Sequence, residues 1–108
     1  MDLVELLVVA ECFELQHHGV VVKPDFPCPE GKWEARLLDV EIVRPNGSRH
    51  QMSARIAVWH FEFSDPSISS DMRWRLVVSF PTMTKSEVPI GTIVMVPRAL
   101  KAAMAFDL

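Results

Sequence analysis

The chain has no run of basic residues, and this absence bears on its partners. Among its 108 residues, 14 are acidic and 11 are basic, which gives a net charge of −3. Proteins that bind nucleic acids usually present a positive face, because contacts with phosphates supply much of the affinity. Nucleic acid is therefore an unexpected partner. A local basic face would have to come from the arginines in the middle of the chain: Arg36, Arg44, Arg49, Arg55, Arg73 and Arg75.

Cysteine is scarce, and Cys12 and Cys28 form no Cys-x2-Cys pair. The N-terminal apolar run, residues 3–10, is interrupted by Glu5 and lacks the basic region and cleavage site of a secretory signal. It is also too short to span a bilayer. We therefore expect reduced thiols, a cytoplasmic location and no contact with a membrane. The length corresponds to one domain, and 49% hydrophobic content lies in the globular range.

Motifs of enzymatic chemistry are missing too. The chain contains no Gly-x4-Gly-Lys-Ser/Thr phosphate loop, no His-x3-His spacing and no recognisable nucleophile turn. His17 and His18 fall at a predicted turn, where polar residues are common. His60 and Glu62 share a strand face and could act as an acid–base pair, but solvent-facing polar residues on strands are far commoner. We expect no enzymatic activity and no metal, nucleotide or other cofactor.

Strand patterns dominate the chain, separated by turn signals about every dozen residues. The clearest alternation is in residues 72–80, and Asn46-Gly47 is a strong hairpin signal that favours a type I′ turn. Pro97 begins a short helical pattern that continues to Phe106. The pattern predicts an all-β, six-stranded closed barrel over residues 1–96 and a C-terminal helix or tail over 97–108. The predicted strands are 7–15, 18–23, 33–43, 49–63, 72–80 and 90–96.

The fourth predicted strand is apolar on both faces. Its aromatic face, with Trp59, Phe61 and Phe63, is expected to line the interior, and the alternative is that part of this set lies outside. A strand that is apolar on both faces is covered on both sides. The outer cover would be the tail, a second copy of the chain or a partner protein. The residues expected to bind a partner are Ile56, Val58, His60, His18, Arg73 and Arg75.

Three segments, taken in order, resemble the second domain of the elongation factor Tu type of translation GTPase. They are Glu11-Cys12-Phe13-Glu14-Leu15-Gln16-His17-His18-Gly19-Val20-Val21, Val40-Glu41-Ile42-Val43, and Lys85-Ser86-Glu87-Val88-Pro89-Ile90-Gly91. The resemblance covers roughly residues 8–96 and implies a small closed β-barrel without the nucleotide site. The charged pair with which that family's barrel helps to hold the aminoacyl end of tRNA has no counterpart in residues 56–61, and the arginine expected before the family's glycine is His18.

Function is less determined by the sequence than architecture is, since one fold supports many activities. Our principal hypothesis is a non-catalytic, cytoplasmic protein-binding module, of the kind found among bacterial immunity and adaptor proteins, that binds another protein or itself. The alternative is a module that binds RNA or the end of a tRNA, as the resemblance to translation factors implies. A basic outer patch would favour RNA, and an uncharged apolar patch would favour protein.

Overall fold

The protein consists mainly of β-strands. The computed structural model describes residues 3–27, 33–60 and 74–104. In these ranges the chain forms seven strands, one turn of 3₁₀-helix at Lys85–Glu87, and one α-helix, α1, at Arg98–Met104. The strands are β1 Leu3–Val8, β2 Glu11–Leu15, β3 Gly19–Pro27, β4 Arg36–Val43, β5 Arg49–His60, β6 Trp74–Phe80 and β7 Ile93–Pro97.

The described strands form one antiparallel sheet in the order β1-β7-β4-β5-β6-β3-β2. This sheet curls into a half-barrel around a single core. The prediction of an all-β, barrel-like fold with a short C-terminal helix is therefore confirmed. The prediction of a closed barrel of six strands was wrong, because the N-terminal segment forms two strands that stand at opposite ends of the sheet order.

The break between β1 and β2 also reverses which side chains face the core. Ala10 N donates to Lys23 O over 2.9 Å, and Lys23 is also the register partner of Glu11. Two consecutive residues thus oppose one residue of β3, which is the arrangement of a β-bulge. The extra residue shifts the alternation by one position, so that Val9 is buried before the bulge and Cys12 after it. Beyond the bulge the other face of the strand points outward, and Phe13 is exposed by 43% and Leu15 by 41%.

The core fills the concave side of the sheet. The alternation predicted for β4 and β6 is confirmed where the side chains are described, since Leu38, Val40 and Ile42 of β4 and Leu76, Val78 and Phe80 of β6 pack together there. The predicted inward side chains Met72 and Trp74 lie outside the described residues. Helix α1 adds Leu100 and Met104 to the same cluster and lies against β1 and β7, where Lys101 Nζ donates to Glu5 O over 2.9 Å. The tail therefore covers the β1–β7 end of the core. No helix in the described ranges is long and apolar enough to cross a membrane.

Strand β5 has the orientation opposite to the predicted one. Ile56 is the register partner of Val78, and both side chains are fully buried in the core. Paired residues of antiparallel neighbours share a face, so Ile56 and Ala54 point inward while Arg55, Ala57 and Trp59 point outward. The prediction of an aromatic interior face at Trp59 was wrong; Phe61 and Phe63 lie outside the described residues. Alternation could not decide the orientation because both faces of this strand are apolar.

The hairpin between β4 and β5 is present, but its turn is not type I′. Gly47 N donates to Arg44 O over 2.8 Å, and Arg44 N donates to Ser48 O over 2.9 Å. Gly47 has φ +88°, whereas Asn46 is not among the positive-φ residues. A three-residue loop of this kind is a type I turn followed by a left-handed residue in a G1 bulge. Pro45, with its fixed φ, favours the type I turn at its first central position.

The connector between β6 and β7 is fastened to two other elements. The Glu87 carboxylate accepts hydrogen bonds from the Thr84 backbone N and from Thr84 Oγ1, both over 2.9 Å. These bonds, the backbone one first, hold the pKa of Glu87 below its usual range. Lys85 N donates to the Glu14 carboxylate of β2, and Arg44 Nε donates to Glu87 O over 2.8 Å. The connector thereby joins the β4–β5 hairpin to β2.

Candidate binding surface

The predicted partner-binding residues that the structure describes differ in exposure. Ile56 is fully buried, which corrects its assignment to an outward face, and Val58 is half-buried against the core. His18 is exposed at the turn between β2 and β3, and Arg75 is half-buried on β6. The side chains of His60 and Arg73 lie outside the described residues. Of the four described side chains, His18 alone is therefore exposed.

His18 and Trp59 meet on the outward side of the sheet. Their ring centroids lie 5.1 Å apart at an angle of 57°. Trp59 is the register partner of Arg75 on β6. Val20, which follows His18 by two residues, is the register partner of Phe80 on the same strand. The β6 positions between these pairs include two outward residues, Val77 and Ser79, which are only 0% and 3% exposed. The outward face of β6 is thus covered within the fold and is not a free docking surface.

Arg75 takes part in a small charge network beside this ring contact. Arg75 Nη2 lies 3.1 Å from Asp25 Oδ1, and Lys23 Nζ lies 2.8 Å from Asp25 Oδ2. Burial raises the pKa of Asp25, but the hydrogen bonds and charges of Lys23 and Arg75 outweigh burial, so the pKa falls below its usual value of 3.8. Arg75 of β6 is therefore linked to Asp25 of β3.

Other arginines of the middle region are engaged as well. Arg49 Nη1 lies 2.6 Å from Glu41 Oε1, and Arg44 donates to the connector. The Arg36 guanidinium lies 4.7 Å from the centre of the Trp33 ring, a cation–π distance. The guanidinium groups that the sequence offers for a basic face are thus largely used in contacts within the fold.

A different set of residues lies on the outward face of β4 and β5, the two strands of the hairpin. Leu37 is opposite Arg55, and Asp39 is opposite Ser53. We call these four residues the β4–β5 patch. Leu37 is 68% exposed, the largest value among the exposed large hydrophobic side chains of the described residues. Asp39 is exposed and Arg55 is half-exposed, and within the part of the chain that the structure describes neither has an ion pair or a hydrogen bond.

The twist of the sheet explains why Asp39 and Arg55 do not neutralise each other. Neighbouring strands are rotated by roughly 20–25° relative to each other. Two successive residue pairs on the same face of β4 and β5 form a square, and this rotation makes one diagonal of the square shorter than the other. Glu41 and Arg49 occupy one diagonal and form an ion pair at 2.6 Å. Asp39 and Arg55 occupy the opposite diagonal and have no contact. The β4–β5 patch therefore carries two opposite charges that are free to meet groups of another molecule.

Sequence reasoning missed this patch although a signal for it was present. Leu37 and Leu38 are adjacent, and successive residues of a strand point to opposite faces. Assigning Leu38 to the core therefore places Leu37 outside. The opposite partners were not predictable, because the pairing of Leu37 with Arg55 depends on the length of the hairpin loop.

A depression beside the β4–β5 patch is lined by Leu3, Asp39, Val40, Glu41 and Gln51. Among the described side chains, no three His, Cys, Asp or Glu residues converge as metal ligands. Cys12 is a buried free thiol in the core.

Comparison of the chain with protein-family models, with curated proteins and with solved structures gave no match.

Proposed function

We propose that this chain is a non-catalytic protein-binding module and that it binds through the β4–β5 patch. One observation carries the proposal: an apolar side chain exposed by 68%, Leu37, lies on a regular strand beside two unpaired, opposite charges. Isolated exposed leucines are ordinary on protein surfaces.

The patch has the composition expected of a small interface. Protein interfaces combine an apolar centre with a polar rim, and Leu37 would supply such a centre. Charges at the rim fix the orientation of a partner and accelerate encounter more than they add affinity. Asp39 and Arg55 would therefore select a partner with an acidic and a basic group at matching positions. An uncharged apolar patch would favour a protein partner, whereas the β4–β5 patch carries two opposite charges beside Leu37.

The proposal also includes the cellular role of the chain and its relationship to a known domain. A cytoplasmic immunity or adaptor protein needs a stable scaffold that presents one recognition surface, and a curled sheet with its recognition residues on regular strands meets this need. The proposed relationship to the second domain of elongation factor Tu-type GTPases rests on the order of the sequence segments and on the barrel-like curl of the sheet.

RNA binding receives less support from the same residues. Arg49 and Arg75 are paired with carboxylates, and Arg36 lies over Trp33. Nucleic-acid binding of this kind needs cations that are free to replace counterions on the phosphates. We therefore favour a protein as the partner.

A capture experiment with three purified baits tests the proposed surface. The baits are the wild-type chain, Leu37→Asp and the matched control Leu15→Asp, which changes a leucine exposed by 41% on the edge strand β2. We expect a protein from the native cell to be retained by the wild type and by the control and lost with Leu37→Asp. Equal retention by all three baits would contradict the proposal, and so would retention by none if the chain also fails to associate with itself.

A further inference from the structure

We infer that the partner at the β4–β5 patch is a second copy of this chain, related by a twofold axis. The inference rests on the proposed function, because it names the occupant of the proposed surface. It is carried by the self-complementary order of charges: each copy presents one free carboxylate, Asp39, and one free guanidinium, Arg55, on opposite corners of the same square of residues.

The geometry of that square matches a symmetric interface. In a twofold dimer the same patch is used on both copies, so that residue i meets residue j and j meets i. A twofold axis that lies between the two patches and runs parallel to the Leu37–Ser53 diagonal exchanges the positions of the Asp39 and Arg55 corners. Asp39 of each copy then lies over Arg55 of the other, and Leu37 meets its own equivalent. Both unpaired charges find a partner, and the exposed leucine is covered.

The curl of the sheet limits the strength of the association. The patch lies on the convex side, since the core fills the concave side. Two convex faces touch only along their middle strands, and the outward face of β6, beside Arg55, is already covered within the fold. The contact is therefore confined to β4 and β5, and the buried area is at the low end for specific complexes, where interactions are weak and transient. We expect dissociation constants of roughly 10–1,000 µM. The C-terminal helix does not compete for this face, because α1 packs on β1 and β7.

Charge reversal and mixing test the inference by sedimentation of the purified full chain at low ionic strength. The wild type should show reversible, concentration-dependent dimerisation. Asp39→Arg and Arg55→Asp should each weaken it by about tenfold or more, because each creates two like-charge contacts across the axis. An equimolar mixture of the two variants should dimerise again, because every contact in the mixed dimer joins opposite charges. Glu11→Arg on β2, an equal change of charge away from the axis, should behave as the wild type does.

The mixing arm separates a lost interface from a damaged fold, since misfolded variants would not restore association in each other. A wild type that remains monomeric at about 1 mM overturns the inference, and so does a mixture that stays monomeric while the wild type dimerises. If the wild type is monomeric and the capture experiment still retains another protein through Leu37, the proposed function stands and only the identity of the partner is wrong. If neither experiment detects an interaction, both are wrong.

Discussion

Two glycines at positive φ give a matched test of the strand register. Gly19 has φ +72° and Gly47 has φ +88°. A Cβ added at Gly47 meets nothing within 4 Å, whereas a Cβ at Gly19 would lie 2.2 Å from Phe80 O and 2.7 Å from Pro81 Cα. The two positions therefore share the same backbone conformation and differ in the space around it. Alanine substitutions at both separate the cost of conformation from the cost of overlap.

The expected magnitudes follow from these distances. An L-residue in the left-handed region costs about 1–2 kcal/mol, and loss of unfolded-state freedom returns about 0.4–1 kcal/mol. Gly47→Ala should therefore lower the free energy of unfolding by about 1 kcal/mol. Gly19→Ala should lower the free energy of unfolding by about 1–3 kcal/mol more than Gly47→Ala does. The added Cβ would displace the backbone of β6 at Phe80, whose side chain is fully buried in the core.

Urea denaturation followed by tryptophan fluorescence measures both values, with the slope of the transition as the check on two-state behaviour. Equal losses of stability in the two variants would refute the pairing of Val20 with Phe80 that brings Gly19 against β6.

Three further predictions concern the core, the acid limb of stability and RNA. Ile56→Ala should lower the free energy of unfolding by about 2–5 kcal/mol. The control Ile90→Ala, at a side chain exposed by 64%, should change it by no more than about 0.5 kcal/mol. Similar losses in the two variants would show that Ile56 is not in the core. The folded-state pKa of Asp25 is lowered from 3.8, so its contribution is present above that pH and is lost as the pH falls through the lower folded value. Asp25→Asn should therefore flatten the fall of stability below about pH 4, and an unchanged denaturation profile in acid would contradict the assignment. Single-stranded RNA should bind weakly or not at all at physiological salt, and submicromolar, salt-sensitive binding in an anisotropy assay would revive the alternative function.

The architecture was predictable where one face of a strand is apolar and the other polar. In β4, Val40 and Ile42 alternate with Asp39 and Glu41, and the structure buries the apolar pair. In β5 both faces are apolar, and the side that is buried was decided by pairing with Val78 of β6, a contact between distant parts of the chain. Local patterns contain no information on such pairing.

The sequence-based predictions failed more often at the geometry of single residues than at the type of secondary structure. The bulge at Ala10 and Glu11 shifts the alternation by one position and exposes Phe13, and no residue in that stretch announces a bulge. The hairpin at Asn46-Gly47 was located correctly, but Pro45 favours a type I turn and leaves the left-handed conformation to Gly47 alone. The β4–β5 patch was not predicted because its defining property, two opposite charges on the diagonal that does not allow an ion pair, appears only once the register and twist are known.

Site-specific photo-crosslinking in living cells tests the central claim, that the β4–β5 patch is an interaction surface, most directly. A photoreactive phenylalanine derivative would replace Leu37 in one variant and Leu15 of β2 in the other, both of which are exposed leucines. We predict a discrete adduct from position 37, at the mass of two chains if the partner is a second copy, and none from position 15. The absence of an adduct at position 37, or the same adducts from both positions, would contradict the account.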